Sequence, residues 1–496
     1  MTHDAAAFYS AVASRDPRFD GVFYVGVTST GIYCRPICPA KTPKASNCRF
    51  FTSAEAAEKA SFRPCLRCRP ELAPGNAPVD DSRRIATLLA HRIEEGALDS
   101  GAGMEDIAKR FGWSSRQLRR MVQKELGVSP IELALTRRLL LAKQLLTETM
   151  LPITDIAFAS GFASVRRFND AFSRRYGMPP TRLRRAANGA VTQNAPPDSF
   201  TLQLAYRPPF DWSTMMRFLG ARTMRGVEAV DASTYSRTAR LGNHTGWIRV
   251  GHAPDRRALL VELTHSLMPV LPTVLGRLRH VFDLTARPDI IDAKLMEDPI
   301  LSQAVTRNPG LRVPGAFDGF ELAVRAILGQ QVSVSSARTL AGRFTEVLGD
   351  EITTPHRELS RLSPTPERIA GALPRQLVSI GILESRARSI IRLAEEVADG
   401  RLALDAGAEP NETIERLTAL PGIGAWTAQY IAMRALRWPD AFPSGDIAVR
   451  KKLGGVTPAR AEERSRAWRP WRSYATLHLW ESVSHPERSE GSTQTA

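Results

Sequence analysis

All five cysteines of this 496-residue chain stand near its start. Four form two close pairs, Cys34 with Cys38 and Cys65 with Cys68, and 26 residues separate the pairs. This spacing predicts a tetrahedral site in which four thiolates bind one Zn²⁺ ion. Because a metal-bound thiol is deprotonated and a thiolate is a nucleophile, the site could be either reactive or purely structural. Cys48 fits neither pair, and we expect it to be a small buried residue.

A single carboxylate behind a glycine-rich turn is the second candidate for chemistry. Residues 420–424 read Leu-Pro-Gly-Ile-Gly, which predicts a tight turn between two short helices. Gly422 and Gly424 permit a close backbone approach that a side chain would block, and the amides that open the next helix at Ala425 are free to bind phosphate. Asp446 follows 22 residues after Gly424. The alternatives are that the turn only connects two helices and that Asp446 caps a helix.

The combination of hairpin and spaced aspartate resembles the helix-hairpin-helix superfamily of DNA glycosylases. The resemblance implies that Asp446 stabilises the positive charge that develops on the sugar as its bond to the base breaks. Lyase-active members of the superfamily carry a lysine two residues after the last glycine of the hairpin, and Trp426 stands there in this chain. The resemblance therefore implies an enzyme that releases the base and leaves the strand intact.

Three further stretches, at residues 206–212, 319–334 and 471–480, resemble AlkA-type alkylation-repair glycosylases. The resemblance implies that the substrates are alkylated bases such as 3-methyladenine. Members of this family fill the gap left by the flipped base with an apolar wedge. This chain departs from that pattern, because Gln331 stands where AlkA has leucine.

Aromatic side chains near the aspartate are spaced to form a pocket for such a base, which must leave the helical stack to be reached. Trp426 and Tyr430 are four residues apart and so share one helix face, and Trp480 is expected to join them. Aromatic faces stack well on electron-poor, cationic purines. Ordinary core packing is the alternative for each of the three side chains.

The cysteine region, through residues 31–36 and 62–68, resembles the N-terminal domain of the Ada adaptive-response proteins. The resemblance implies that Cys34 takes a methyl group from a phosphotriester in DNA, with the other three paired cysteines as the remaining zinc ligands. Arg35 and Arg67, beside these ligands, are expected to contact DNA. No later cysteine is followed by histidine, so we expect the O6-alkylguanine transferase module of full-length Ada to be absent.

An internal repeat follows the cysteine region. The motif Asp-Ile-Ala at 106–108 recurs at 155–157, and Gly127 recurs as Gly177, so the offset changes from 49 to 50. Each copy reads as helix, glycine turn, helix, and residues 131–147 are predicted to form a helix that joins the copies. The change of offset predicts a one-residue insertion in the second copy, in its turn or early in its second helix.

Basic residues mark the second helix of each copy. Residues 109–185 contain 16 Lys/Arg against 5 Asp/Glu. A solvated surface is the usual explanation of such a run, but a doubled helix-turn-helix favours DNA, with the two helices in successive major grooves. The pattern resembles AraC-type DNA-binding domains. The arginines expected to contact DNA are Arg116, Arg119, Arg120, Arg166 and Arg167.

The predicted fold is multidomain and mainly α. Its expected parts are a small zinc-binding α+β domain (1–75), an all-α double helix-turn-helix domain (82–186), a linker (187–199), an antiparallel α+β domain (200–305), an all-α helix-hairpin-helix glycosylase domain (306–481) and a disordered tail (482–496). The antiparallel unit shows no chemistry of its own. Its elements are expected to be strands at 200–206, 227–230, 234–241, 247–250 and 258–263, and a helix at 211–219.

A formal net charge of +16 favours a polyanionic partner. We expect double-stranded DNA, at damaged sites and promoters, and RNA polymerase as the partner of an activator. No apolar run reaches the ~18 residues of a membrane span, and no signal peptide is recognised, so no membrane partner is expected. A cytoplasmic bacterial protein, nucleoid-associated when bound to DNA, is the expected location.

The combined prediction is a zinc-thiolate methyl acceptor that regulates transcription and is also a monofunctional DNA glycosylase for alkylated bases. Two alternatives stay open. One is a transcription regulator with an inactive glycosylase body, and the other is a glycosylase whose zinc domain is purely structural.

Overall fold

The structure is a computed structural model of the chain. It describes residues 5–74, 89–90, 92–93, 95–99, 104–105, 108, 114–187 and 198–484. Among the predicted features, Asp106, Ile107 and Gly112 of the first repeat copy, residues 188–197 of the linker and residues 485–496 of the tail lie outside these ranges.

A small sheet holds the cysteine region together. Its strands stand in the order β3-β1-β2-β4, with β2 parallel to β4 and the other neighbours antiparallel. Because β2 ends at Cys34 and β4 ends immediately before Cys65, their parallel pairing brings the two cysteine pairs to one edge of the sheet. The elements are α1 (Ala5–Ala13), β1 (Tyr24–Val27), β2 (Ile32–Cys34), β3 (Cys48–Phe51), α2 (Ala54–Lys59) and β4 (Arg63–Pro64), with short 3-10 helices at Pro17–Phe19, Ala45–Asn47 and Pro70–Leu72.

The structure describes the second helix of the first copy and both helices of the second copy, as predicted; the first helix of the first copy lies mostly outside the described residues. The described helices are α3 (Ser115–Leu126), α4 (Pro130–Glu148), α5 (Ile153–Ala159), α6 (Val165–Tyr176) and α7 (Pro180–Ala187). Helices α3 and α6 are equivalent, since each has 12 residues, a serine N-cap (Ser114, Ser164) and a left-handed glycine C-cap (Gly127, Gly177). The inserted residue therefore lies in the turn before α6 and not in the helix itself. Helix α4 joins the two copies as predicted.

The next unit is a five-stranded antiparallel sheet in the order β5-β9-β8-β7-β6. All five predicted strands are present, and β8 is longer than predicted because a tight hairpin already pairs Leu241 with His244. The elements are β5 (Ser199–Ala205), α8 (Trp212–Gly220), β6 (Glu228–Val230), β7 (Thr234–Leu241), β8 (His244–Ala253) and β9 (Ala258–Thr264), with 3-10 helices at Pro254–Arg256 and His265–Val270.

The remainder of the described chain is helical, and the predicted fold class is confirmed. The helices are α9 (Leu271–Val281), α10 (Pro288–Met296), α11 (Pro299–Arg307), α12 (Gly319–Leu328), α13 (Val334–Leu348), α14 (Pro366–Ala370), α15 (Pro374–Val378), α16 (Glu384–Ala398), α17 (Pro410–Thr418), α18 (Ala425–Arg434), α19 (Ile447–Lys452), α20 (Pro458–Ser465) and α21 (Arg472–Ser484), with a 3-10 helix at Arg466–Trp468. None of the helices that the structure describes is long and apolar enough to cross a membrane.

Buried charged groups join the cysteine region to the helix-turn-helix unit. Glu58 of α2 accepts hydrogen bonds from the hydroxyls of Tyr33 (3.0 Å) and Thr136 (2.7 Å), and it pairs with Arg175 of α6 at 2.9 Å. Lys143 of α4 donates to the carbonyl oxygen of Cys65 at 3.0 Å. Because buried charges are tolerated only when they are paired or hydrogen-bonded, these contacts fix the two units against each other.

A second buried cation joins the cysteine region to the C-terminal part of the chain. Arg207, which follows β5, is fully buried. Its Nε atom donates to the carbonyl oxygen of Asp20 at 2.8 Å, and its Nη1 atom donates to that of Thr285 at 2.6 Å. One guanidinium group thus contacts both the cysteine region and the helical part of the chain.

Candidate functional site

The four paired cysteines form a compact cluster. The sulfur atoms of Cys34, Cys38, Cys65 and Cys68 all lie within 4.8 Å of one another. Cys38 is half-buried and is the most accessible of the four, whereas Cys34, the acceptor implied by the resemblance, is 7 % exposed. Cys48 lies outside the cluster and is half-buried, not buried as predicted, because β3 is an edge strand.

The electrostatics of the cluster explain why it requires a cation. The hydrogen bond between Cys34 and Cys38 is the main cause of the raised pKa of Cys34. The same contact lowers the pKa of Cys38 to about 7. The backbone amides of Arg35 and Arg67 donate to the sulfurs of Cys68 (3.3 Å) and Cys65 (3.4 Å), which favours thiolates. Four crowded thiolates repel one another unless a divalent ion balances them, and an all-sulfur set of four fits zinc.

The predicted DNA contact of Arg35 is wrong for this arrangement. Its side chain is buried and forms an ion pair with the carboxylate of Asp20. Its Nη1 atom also donates to the carbonyl oxygen of Cys68 at 3.0 Å. The guanidinium therefore holds two loops of the cysteine region together. Arg67, by contrast, is exposed, as a residue that contacts a phosphate must be.

The recognition helices leave their arginines at the surface. Leu118 and Val122 of α3, and Phe168 and Phe172 of α6, point into the core. The opposite faces are basic and solvent-exposed. They carry Arg116, Arg119, Arg120, Arg166 and Arg167, all of them exposed.

Asp446 is held by donors from three helices. Its Oδ2 atom accepts a hydrogen bond from the indole Nε1 of Trp426 at 2.8 Å. Its Oδ1 atom accepts one from the indole Nε1 of Trp480 at 3.1 Å and one from the backbone amide of Val449 at 2.9 Å. Asp446 is therefore also the N-cap of α19, so capping and placement in the pocket are compatible.

The three predicted aromatic residues and Asp446 line one cavity of about 400 Å³. The rings of Trp426 and Tyr430 are stacked, with centroids 5.3 Å apart and planes 9° apart. The ring of Trp480 lies 6.3 Å from that of Tyr430. A cavity of this size with aromatic walls and a carboxylate can enclose a single flipped base.

The two hairpin glycines have different roles. Gly422 has φ +82°, and a Cβ atom there would lie 2.2 Å from Ser389 Oγ, so the fold itself requires glycine. Gly424, the N-cap of α18, would place a Cβ atom in open space. Its lack of a side chain leaves the start of α18 accessible to a phosphate.

Gln331 lies at the tip of the turn between α12 and α13. It is exposed and has φ +54°, in the left-handed region that non-glycine residues rarely adopt. The adjacent Gln330 donates to the carbonyl oxygen of Gly422 at 2.9 Å, which ties this turn to the hairpin. Val332, the next residue of the stretch in which the wedge is expected, is exposed and lines the cavity.

Arginines that the sequence did not single out also line the cavity. They are Arg222, Arg325, Arg338 and Arg434. Arg222 comes from the antiparallel unit, which showed no chemistry in the sequence and here contributes this residue to the lining of the cavity. In the sequence, Arg222 is only a basic residue that follows the end of α8, and nothing near it indicates a place in the cavity.

Comparison with known proteins assigns these regions to families. The models that match are "Metal binding domain of Ada" over residues 7–71, "Helix-turn-helix domain" over 107–186, "AlkA N-terminal domain" over 201–318 and "HhH-GPD superfamily base excision DNA repair protein" over 324–472. The first of these identifies the cysteine cluster as the metal site of an Ada-type domain.

A relative from Mycobacterium tuberculosis matches over nearly the full length. It is named "Probable bifunctional transcriptional activator/DNA repair enzyme AlkA", and it is 40 % identical over 493 residues, which are 98 % of each chain. The chain belongs to this family of bifunctional AlkA proteins. The resemblances to Ada, AraC-type and AlkA-type domains are thereby confirmed.

Other relatives match one half of this bifunctional AlkA family chain. "DNA-3-methyladenine glycosylase 2" of Escherichia coli is 36 % identical over 277 residues, 56 % of this chain and 95 % of that protein. The solved structure of the "3-methyladenine dna-glycosylase from Archaeoglobus fulgidus" has a TM-score of 0.51 at 21 % identity, and the match covers 57 % of this chain and 98 % of that one. This structure supports the fold of the C-terminal half.

Proposed function

We propose that the chain is a DNA glycosylase for alkylated bases and a stoichiometric acceptor of methyl groups from DNA phosphotriesters that regulates transcription. The observation that carries the proposal is the meeting of Asp446 with Trp426, Tyr430 and Trp480 in one base-sized cavity. The named activities of the relatives, glycosylase and transcriptional activator, support the same two halves.

Base excision follows from what these side chains touch. The two tryptophans and Tyr430 present aromatic walls between which a flipped base can stack. As the bond between the base and C1′ of the sugar breaks, its electron pair leaves with the base, and positive charge grows on the sugar. The fixed carboxylate of Asp446 stabilises that charge. Water then adds to the sugar, and the strand stays intact.

Strand cleavage is not expected, because no lysine is among the residues that line the cavity in the described part of the chain. Lyase chemistry needs an amine that forms a Schiff base with the sugar. Treatment with borohydride during excision is therefore expected to trap no covalent protein–DNA adduct. A strong trapped band would show that an amine from outside the cavity lining reaches the sugar.

Methyl transfer is assigned to Cys34, with Cys38, Cys65 and Cys68 as the other metal ligands. Bound zinc keeps the thiols ionised. The sulfur of Cys34 attacks the methyl carbon, an S–CH₃ bond forms, the CH₃–O bond breaks, and the phosphodiester anion leaves. The thioether is not turned over, so each chain accepts one methyl group. The exposed arginines of α3 and α6 would bind promoter DNA, chiefly through phosphates.

Several finer points belong to this proposal. They are the division into domains at 1–75, 82–186, 200–305 and 306–481, contact with RNA polymerase, and association with the nucleoid. A role of Gln331 as the wedge and phosphate binding at Gly424 also stay predictions.

One experiment separates the proposal from its two alternatives. The protein is incubated with methylated duplex DNA, released bases are quantified by chromatography, and methylated cysteine is located by peptide mass spectrometry. We expect free alkylated base and a methyl group on Cys34. Methyl transfer without base release would support a regulator with an inactive glycosylase body. Base release with unmodified cysteines would support a purely structural zinc site, and a methyl group on Cys38 would reassign the acceptor.

A further inference from the structure

A buried network of four charged side chains lies between the cysteine region and helix α4. Lys143 of α4 pairs with Glu71, and each of these two side chains is 1 % exposed. Glu71 also accepts a hydrogen bond from Nε of Arg69 at 3.1 Å, and Nη2 of Arg69 donates to Glu148 of α4 at 2.6 Å. Two cations face two carboxylates, so the network carries no net charge.

The network holds the chain on both sides of the second cysteine pair. Nζ of Lys143 donates to the carbonyl oxygen of Cys65 itself at 3.0 Å. Arg69 directly follows Cys68 and has φ +55°, in the left-handed region, and two side chains at the end of α4 accept hydrogen bonds from its guanidinium group. Hydrogen bonds from outside the ligand set fix the orientation of metal ligands, and their loss typically lowers metal affinity.

A buried ion-pair network is costly if it only joins two units. Both charges must leave water, and apolar side chains in their place are often equally stable or more so. The same joint already has apolar contacts, since Leu140 of α4 shares a buried cluster with Tyr33 and Phe62 of the cysteine region.

What apolar contacts cannot supply is a directed donor and a positive charge beside the cysteine cluster. Four thiolates around one Zn²⁺ ion leave the site negatively charged, so a nearby ammonium group stabilises it. Lys143 provides that group, and its hydrogen bond to Cys65 fixes the backbone from which one ligand projects.

We propose that Lys143 is a positioning residue of the cysteine cluster. From the helix-turn-helix unit it fixes the loop that carries Cys65 and Cys68, so retention of the metal depends on the helix that joins the two copies of the repeat. Lys143 acts through the backbone of Cys65 and through Glu71, not as a ligand. The inference concerns the metal site and goes beyond the proposed methyl transfer and base excision.

The test measures how fast the full-length, zinc-loaded protein loses its metal to an excess of a coloured chelator. The wild type and Lys143→Met are compared at a temperature at which thermal unfolding shows both to be folded. Methionine keeps an apolar stem in the buried site and lacks both the charge and the donors. We expect Lys143→Met to release zinc about tenfold faster or more, the scale for loss of a group that supports a metal ligand.

Arg175 supplies the matched control, because it joins the same two units at another place. It pairs with Glu58 of α2 at 2.9 Å, and α2 carries no metal ligand. Arg175→Met is expected to lower the thermal stability and to release zinc at the wild-type rate. The double variant Lys143→Met with Glu71→Gln avoids leaving a buried carboxylate without its partner, and it should release zinc as fast as Lys143→Met.

Two results would overturn the inference. One is release of zinc at the wild-type rate by folded Lys143→Met or by the folded double variant. The other is an equal acceleration in Lys143→Met and Arg175→Met, which would mean only that the two units have loosened.

Methylation of Cys34 by methylated duplex DNA is scored on the same samples by mass spectrometry. A wild type that holds zinc and accepts no methyl group would refute the proposed methyl transfer. The zinc-release rates would still decide the role of Lys143, so the two failures are distinguishable.

Discussion

The cysteine cluster draws all four ligands from one short stretch of chain, on the paired ends of β2 and β4 and the loops that follow them. Asp446 has indole donors at similar separations, 20 and 34 residues away, but the cavity that it shares with them is also lined by Arg222, which comes from the antiparallel unit far earlier in the chain. The first centre is local, and its ligands need a metal to coexist. The second is assembled over long range, and protein donors alone hold it.

This contrast predicts that the two activities can be removed separately. A local metal site should fail as a unit when one ligand is lost, because three thiolates and a hydroxyl bind zinc poorly. An assembled pocket should lose activity in graded steps, according to which contact of Asp446 is removed.

The largest expected effect is at the local site. Cys38→Ser should reduce bound zinc from one ion per chain towards none and abolish methyl acceptance, as measured by metal analysis and mass spectrometry. Base release should persist. Cys48→Ser is the matched control, since Cys48 lies outside the cluster, and it should retain both zinc and methyl acceptance. Loss of base release in folded Cys38→Ser protein would show that the two centres are not separable.

Asp446→Asn should slow base release by about 10²–10³, the typical scale for loss of one group that stabilises transition-state charge. The amide keeps the shape and can still accept from an indole, so DNA affinity should change little. Methyl acceptance should be unaffected. Asp255→Asn, at an exposed position far along the chain, serves as the control. Excision at the wild-type rate by folded Asp446→Asn would remove Asp446 from its role.

Acid should damage the assembled pocket through His478, which is 1 % exposed and lies on α21 two residues before Trp480. Burial lowers its pKa to about 4. His478 therefore binds a proton more readily in the unfolded chain than in the folded chain. The free energy of unfolding falls as pH falls from about 6.5 towards 4. Between pH 7 and pH 5 this group should remove about 2 kcal/mol of unfolding free energy.

Denaturant unfolding at several pH values tests this, with His478→Leu as the comparison. The variant should show a smaller loss of unfolding free energy between pH 7 and pH 5 than the wild type does. Identical pH dependence in the two proteins would mean that His478 is not buried in its neutral form.

The smallest effect concerns one donor to the carboxylate. Trp480→Phe keeps an aromatic wall but removes the indole N–H that donates to Asp446 Oδ1. We expect excision to slow by about tenfold, the scale of one hydrogen bond to a charged group. Trp471→Phe makes the same substitution immediately before α21 and outside the cavity, so its excision rate should match that of the wild type. Equal rates in both variants would assign Trp480 to packing alone.

The sequence predicted each centre to the extent that the centre depends on residues close together in the chain. The cysteine spacing, the recurring glycines of the repeat and the strand pattern are local signals, and they predicted what the described part of the structure contains. Asp446 and its aromatic neighbours were predicted through motif resemblance. Arg222 was not, because its place in the pocket depends on how an antiparallel unit packs against helices that lie far along the chain.

The two errors in the cysteine region have the same cause. Arg35 stands beside a metal ligand and reads as a DNA contact, but Asp20, 15 residues earlier, folds over and pairs with it. Cys48 reads as a buried small residue, but sheet order places its strand at an edge. Strand order and non-local ion pairs are tertiary properties that local pattern does not contain.

The contacts of Arg207 with Asp20 and Thr285 affect how freely the cysteine region and the C-terminal part can move relative to each other. To lift the cysteine region away from the C-terminal part would strip a fully buried cation of its acceptors, which is costly. The chain should therefore tumble in solution as one particle, even after a protease cut within residues 188–197. The methyl-accepting cysteines and the base cavity would then approach DNA in one fixed relative orientation, set by the protein and not by the length of residues 188–197.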